Sequence, residues 1–146
     1  MAGQGVDLKL RLTLREGSIY YFTERSLTSS EPHYFIVVNS DPLTQEVLVL
    51  GIVTSKVAEV KQRRQLIPET IVEISPKAFD VLKKLSIVDC NDLKQVQILE
   101  FNARFVRKEI RYFDKDLPAS LRNALRKAIH ASPIVPDEIK ALVAKP

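Results

Sequence analysis

The sequence predicts an α+β protein, a small, strongly bent β-barrel with a short helix and appended C-terminal helices. Three observations carry that expectation. Short apolar and β-branched runs recur from the N-terminus to about residue 90, each bounded by a polar turn cluster. Gly51 interrupts the strongest of these runs, where a bulge or tight bend lets a small barrel curl. Past residue 115 the spacing turns helical, with Leu121, Ala124, Leu125, Ala128 and Ile129 at i, i+3, i+4, i+7 and i+8. A chain of 146 residues is expected to fold as one domain around one core.

Taken in order, Val6, Leu8, Leu10, Leu12 and Leu14 alternate with polar residues and predict a first strand. Ile19 to Thr23 predicts the second, and the polar segment Glu24 to Glu31 an exposed loop. Tyr34 to Val38 is a strong strand, followed by the turn cluster Asn39-Ser40-Asp41-Pro42. Val47 to Val53 is apolar throughout, as in a central strand buried on both faces. Lys56 to Gln65 is charged, has only weak helical spacing, and is expected to be a mobile excursion. Thr70 to Ile74 predicts a strand, closed by Ser75-Pro76, where serine caps a short helix bearing Phe79 and Leu82. Ser86 to Cys90 predicts another strand. Between Leu93 and Phe113 strand and helix patterns mix, and both stay open. Asp116-Leu117-Pro118 starts the long helix, whose outer face is basic with Arg122, Arg126 and Lys127, and Asp137 to Val143 predicts the last helix.

Composition removes several classes of function. One cysteine, Cys90, cannot form an internal disulfide and is expected to be a small buried hydrophobe; two histidines provide no zinc cluster. Only four glycines are present, with no phosphate-cradling loop and no GxSxG elbow, so no cofactor and no metal are expected. No apolar run approaches a membrane span, and the chain reads as cytoplasmic. Charge is uneven: residues 1–100 hold 12 Lys/Arg against 13 Asp/Glu, whereas residues 101–146 hold 10 against 5. That local excess suits an anionic partner such as RNA or an acidic polypeptide, and equally suits solvated helix faces.

The segment His33 to Ser55 places an imidazole and two hydroxyls at the outer ends of two apolar strands. Around it, residues 17–93 resemble the MazF/PemK-like toxins of type II toxin–antitoxin systems. The matching elements are Gly17-Ser18-Ile19-Tyr20-Tyr21-Phe22, then His33 to Asp41, then Ile52-Val53-Thr54-Ser55, then Ile67 to Ile74, then Leu85 to Asp89. The resemblance implies an SH3-like barrel, a homodimer, metal-independent cleavage of single-stranded RNA, and inactivation by an antitoxin protein. The N-terminal strand and the basic segment after Leu93 lie outside the pattern as additions. Two adjacent positions depart from it: His33 stands at the family's active-site arginine, with Tyr34 in place of the proline after it. Thr54 matches the family's catalytic hydroxyl, and Ser55 lies beside it.

Metal-free RNA cleavage needs proton transfer and stabilisation of extra phosphoryl charge. An imidazole, with an ordinary pKa near 6.5, suits the first task, which assigns it to His33. Thr54 and Ser55 are assigned hydrogen bonds to the phosphate, and Arg25, Arg63 or Arg64 the charge, since guanidinium forks hold phosphate oxygens. Among Tyr20, Tyr21, Tyr34 and Phe35, alternation lets only one set stack on bases; the other packs in the core. His130, near the end of a helix, is assigned no catalysis. Two other readings stay open: a non-catalytic SH3-like module binding RNA or a protein, and a structural or regulatory partner using its C-terminal helices. In both, His33 solvates a strand end and Thr54 and Ser55 satisfy local backbone groups.

Overall fold

The computed structural model describes residues 3–24 and 31–146. Its strands are β1 (Ile19–Phe22), β2 (His33–Val37), β3 (Val47–Thr54), β4 (Ile71–Ile74), β5 (Ser86–Asp89), β6 (Lys94–Gln97) and β7 (Arg111–Phe113). Its helices are α1 (Leu8–Thr13), α2 (Pro42–Gln45), α3 (Val57–Arg63), α4 (Ile98–Val106), α5 (Ala119–Ala131) and α6 (Asp137–Lys140). The strands form one antiparallel sheet in the order β4-β5-β3-β2-β1-β7, with β6 added beside β3. Among the described residues this sheet does not close on itself, and β4 and β7 stand at its two ends.

Strand β3 is the pivot. One edge lies along β2; the other pairs first with β6, from Val47↔Gln97 to Leu50↔Lys94, and then with β5, at Val53↔Val88 and Thr54↔Ile87. Gly51 falls at this change of partner. The register with β2 runs through Ile36↔Gly51 without an extra residue, so no bulge interrupts that pairing. A Cβ at position 51 would lie 3.0 Å from Val88 Cγ1, so the missing side chain is what lets β5 close in.

Helices cover both faces. On one side α5 and α6 bring Leu125, Ala128, Ile129 and Ile139 onto Ile19, Ile36, Val49 and Val88. On the other, α1 and α4 bring Leu10, Ile98 and Phe101 onto Tyr20, Phe35, Leu48 and Leu50. A sheet buried on both faces explains why β3 is apolar without alternation. Gly17 joins α1 to β1 at φ +88°, a backbone conformation that favours glycine, and the Arg122 side chain of α5 packs into the space a Cβ would take. Asn39, fully buried, ties the β2–β3 connection through its amide to Gln45 Oε1 (2.8 Å) and the Val47 carbonyl (2.7 Å), while its Oδ1 accepts from the Val49 N–H (3.0 Å).

The structure corrects several expectations. The first segment is helix α1, not a strand. Its alternating leucines conceal a spacing of four: Val6, Leu10 and Leu14 are buried, whereas Leu8 and Leu12 are 59% and 71% exposed. The Asp7 carboxylate starts the helix by accepting from the Lys9 N–H at 3.0 Å. Replacing Leu10 with alanine is therefore expected to cost about 2–3 kcal/mol, and Leu12 less than about 0.5 kcal/mol, by urea denaturation; equal costs would contradict the helix. Lys56 to Gln65 is not an irregular excursion, because α3 packs Val60 (3% exposed) against the sheet. Ser75 does cap, accepting from the Ala78 N–H at 3.2 Å, but only a turn follows, so the expected short helix is absent there. Phe79 and Leu82 are buried without it. Both patterns seen between Leu93 and Phe113 are real and consecutive: β6, α4, then β7.

The basic face of α5 is only partly open. Arg126 pairs with Glu16 through two hydrogen bonds, one of 2.8 Å, and Arg122 lies against Gly17. Elsewhere in the C-terminal third, Arg104 sits over the Phe22 ring at 5.0 Å and donates to the Thr23 carbonyl at 2.7 Å. His130 Nε2 lies 3.1 Å from the Val143 carbonyl, tying the chain's end to α5.

Candidate functional site

The outer ends of β2 and β3 open onto a groove of about 870 Å³. His33, Tyr34, Thr54, Ser55 and Arg63 all line it, with Tyr21, Lys56, Lys83, Lys84 and Asp89 among the other residues of its wall. Extending the register Tyr34↔Val53 by one step sets His33 across from Thr54. Directly opposed residues of antiparallel strands share a face with Cβ atoms about 5 Å apart. The imidazole and the hydroxyl therefore face one side of the sheet, the side on which Ile52 packs. Tyr34 points to the other side, toward the core beneath α5.

His33 Nε2 is shielded from solvent and has no hydrogen-bond partner among the described residues; no other side-chain nitrogen or oxygen there is left so. An unpaired buried polar atom costs about 1–3 kcal/mol, so this nitrogen is available to a partner that reaches it. Thr54 Oγ1 accepts from the Lys56 N–H at 3.2 Å, so its own O–H remains able to donate into the groove. Ser55 beside it is exposed.

Alternation has sorted the four aromatic candidates. Tyr20 and Phe35 are fully buried under α4, with Tyr20 meeting Phe101 edge-on at 5.1 Å between ring centroids. Tyr21 and Tyr34 lie 4.7 Å apart at the groove, and Tyr34 also meets Phe113 at 5.4 Å. Burial, and then the neighbouring Tyr21, raise the Tyr34 phenol above its ordinary value.

Arg63 and Arg64 have separate positions. Arg64, 19% exposed, donates from Nε to Asp89 Oδ2 at 3.0 Å, whereas Arg63, 51% exposed, reaches the same oxygen from Nη2 at 3.3 Å and faces the groove. Burial pushes the Asp89 carboxyl up, but hydrogen bonds from the Asn91 side chain and backbone and from Arg64 outweigh it and hold the group below the ordinary carboxylate range. Next to it Cys90 is fully buried, and burial, followed by the Asp89 charge, pushes its thiol up to about 12, as suits an inert core residue. Arg25 lies outside the described residues.

Sequence reading had not singled out Asp89, Lys83 or Lys84. The lysines sit where a helix had been expected, and Asp89 ends a strand with no periodic signal; only the fold sets them beside His33. Among the described residues the groove wall carries four cations, Lys56, Arg63, Lys83 and Lys84, and four carboxylates, Glu31, Glu59, Asp89 and Asp92. Among the described residues no three His, Cys, Asp or Glu side chains gather as a metal site would need, and no helix is long and apolar enough to cross a membrane.

No family model and no curated protein matches the sequence. Solved structures do. An endoribonuclease in complex with its cognate antitoxin, from a mycobacterial species, is similar with a TM-score of 0.53 at 14% identity, over 84% of this chain and 97% of that one. The chain shares the fold of that endoribonuclease. Mycobacterium tuberculosis toxin MazF-mt6 is also similar, with a TM-score of 0.49 at 15% identity, over 78% of this chain and 94% of that one. The shared fold extends beyond residues 17–93, the part of the chain whose sequence pattern carries the resemblance.

Proposed function

We propose that this chain is a toxin-like endoribonuclease that cleaves single-stranded RNA without a metal and is neutralised by an antitoxin. The observation that carries the reading is the unpartnered Nε2 of His33, set across from Thr54 at a groove edged by Arg63. The fold, shared with an endoribonuclease solved with its antitoxin, supports it. In the proposed reaction His33 takes the proton of a ribose 2′-hydroxyl, whose oxygen attacks the adjacent phosphorus. The bond from phosphorus to the 5′-oxygen breaks, that oxygen takes a proton from water, and His33 returns its proton to solvent, leaving a 2′,3′-cyclic phosphate and a 5′-hydroxyl. The Thr54 O–H and Arg63 hold the non-bridging oxygens as charge builds on them. Tyr21 and Tyr34 stack on a neighbouring base, a contact of about 1–3 kcal/mol.

The rest of the proposal follows the resemblance: a single domain acting in the cytoplasm as a homodimer, with the sheet an opened form of the SH3-like barrel that bends at Gly51. The balance of cations and carboxylates on the groove wall favours one other reading, a non-catalytic module that binds RNA or a protein. Incubating the purified protein with a long single-stranded RNA in EDTA separates the two. Fragments ending in a 2′,3′-cyclic phosphate are the expected result. Retention of intact RNA on the protein supports the module, and the absence of both cleavage and retention would overturn the RNA reading.

A further inference from the structure

We infer that Asp89 is a positioning residue that holds Arg63 at the groove wall, and that Ser132, at the end of α5, sets Asp89 through Asn91. The inference rests on the cleavage reading for what Arg63 does and on geometry alone for how it is held.

The acceptors of Asp89 are saturated. Oδ2 takes Arg63 Nη2 at 3.3 Å and Arg64 Nε at 3.0 Å; Oδ1 takes the Asn91 backbone N–H at 3.1 Å and Asn91 Nδ2 at 2.8 Å. A carboxylate offers about four such positions, and all are filled. Asn91 Nδ2 uses both its donors, the second to Thr70 Oγ1 at 2.7 Å, and Oδ1 accepts from Ser132 Oγ at 2.5 Å. Flipping this amide would set its oxygen against Asp89 and its NH2 against Ser132, so Ser132 reinforces the orientation that serves Asp89. Ser132 is itself fixed, because its Oγ accepts from the N–H groups of Ile134 (3.0 Å) and Val135 (3.1 Å), and its carbonyl accepts from Lys140 Nζ at 2.6 Å.

Asp89, Asn91, Thr70 and Ser132 are all buried, at 7%, 8%, 0% and 0% exposure. Inside a protein a fully satisfied polar network defines one geometry, and a partly satisfied one is costly. This network runs from the end of α5 to the groove. At the groove its two arginines divide the work: Arg64, mostly covered, anchors α3, while Arg63, half exposed, has no partner other than Asp89 among the described residues and keeps donors toward a phosphate. The C-terminal segment thus acts as a buttress of the site.

The test is a double-mutant cycle read on RNA cleavage, with melting temperature recorded for each variant. Asp89→Asn is expected to lower kcat/KM about tenfold in the wild-type background and less than about twofold in an Arg63→Ala background, because its effect passes through Arg63. Equal losses in both backgrounds would mean that Asp89 only stabilises the fold, and would overturn the inference. Ser132→Ala, whose site is remote from the groove, is expected to couple to Arg63 in the same direction and covers the case in which Asp89→Asn fails to fold. A second readout needs no RNA: the side-chain N–H signals of Arg63 and Arg64 in 15N-edited NMR spectra are expected to shift in Ser132→Ala. Unchanged signals would refute the relay even in an active enzyme. Shifted signals in a protein that neither cleaves nor binds RNA would uphold the relay and refute the cleavage reading.

Discussion

Replacing His33 with alanine is expected to reduce kcat on single-stranded RNA by at least about 100-fold, the lower end of what a positioned acid or base contributes. The fold should survive, since His33 begins β2 at its partly exposed end and its Nε2 makes no bond among the described residues. That combination distinguishes the catalytic reading from a structural one. A side chain holding a strand end should lower the melting temperature when removed, whereas an imidazole with an unspent nitrogen should leave it unchanged or raise it. The measurement is single-turnover cleavage in EDTA alongside thermal denaturation of the same preparations. Wild-type rates in His33→Ala would remove His33 from the chemistry and shift the site toward Thr54 and Arg63.

Phe101→Ala is expected to destabilise the protein by about 3–5 kcal/mol, measured as a fall in the urea midpoint at unchanged slope. Phe101 is fully buried at the centre of the layer between α4 and the sheet, with Tyr20 at 5.1 Å and Phe22 at 5.7 Å between ring centroids. Removing this ring leaves a cavity against two others, and Phe22 in turn stacks on Phe35 at 4.0 Å. Two residues earlier on the same helix, Leu99 is 58% exposed, and its replacement by alanine should change stability by less than about 0.5 kcal/mol. A loss at Phe101 near that of Leu99 would show that α4 is not a wall of the core. Since His33 pairs with Phe22 across β1 and β2, this layer also fixes the strand that carries the proposed site.

The strands and the helix carrying Leu125 and Ile129 were legible because their apolar residues recur at periods that belong to one geometry. The N-terminal segment was not, because leucines at every second position include a set at every fourth. Both a strand and a helix satisfy Leu8, Leu10, Leu12 and Leu14, and the Asp7 cap with the apolar face of α4 and the sheet decided for the helix. Lys56 to Gln65 misled for a similar reason: one buried valine per helix is too faint a period to read, yet Val60 is enough contact when the sheet is already there.

The candidate site divides along the same line. His33, Thr54 and Ser55 could be found in the sequence because strand ends and residue types mark them, and the local hairpin between β2 and β3 brings them together. Asp89, Asn91 and Ser132 could not, since they are separated by up to 43 positions and meet only when α5 packs on the sheet. What the chain determined by itself was local: periods, turns, caps, and which residue types stand at strand ends. Tertiary structure alone decided which helices cover each face of the sheet, that Tyr21 and Tyr34 rather than Tyr20 and Phe35 reach the groove, and that Arg64 anchors while Arg63 reaches out. The physical reason is that burial and hydrogen-bond saturation belong to pairs of distant residues, and a pair has no energy to read until the fold has brought its members within contact.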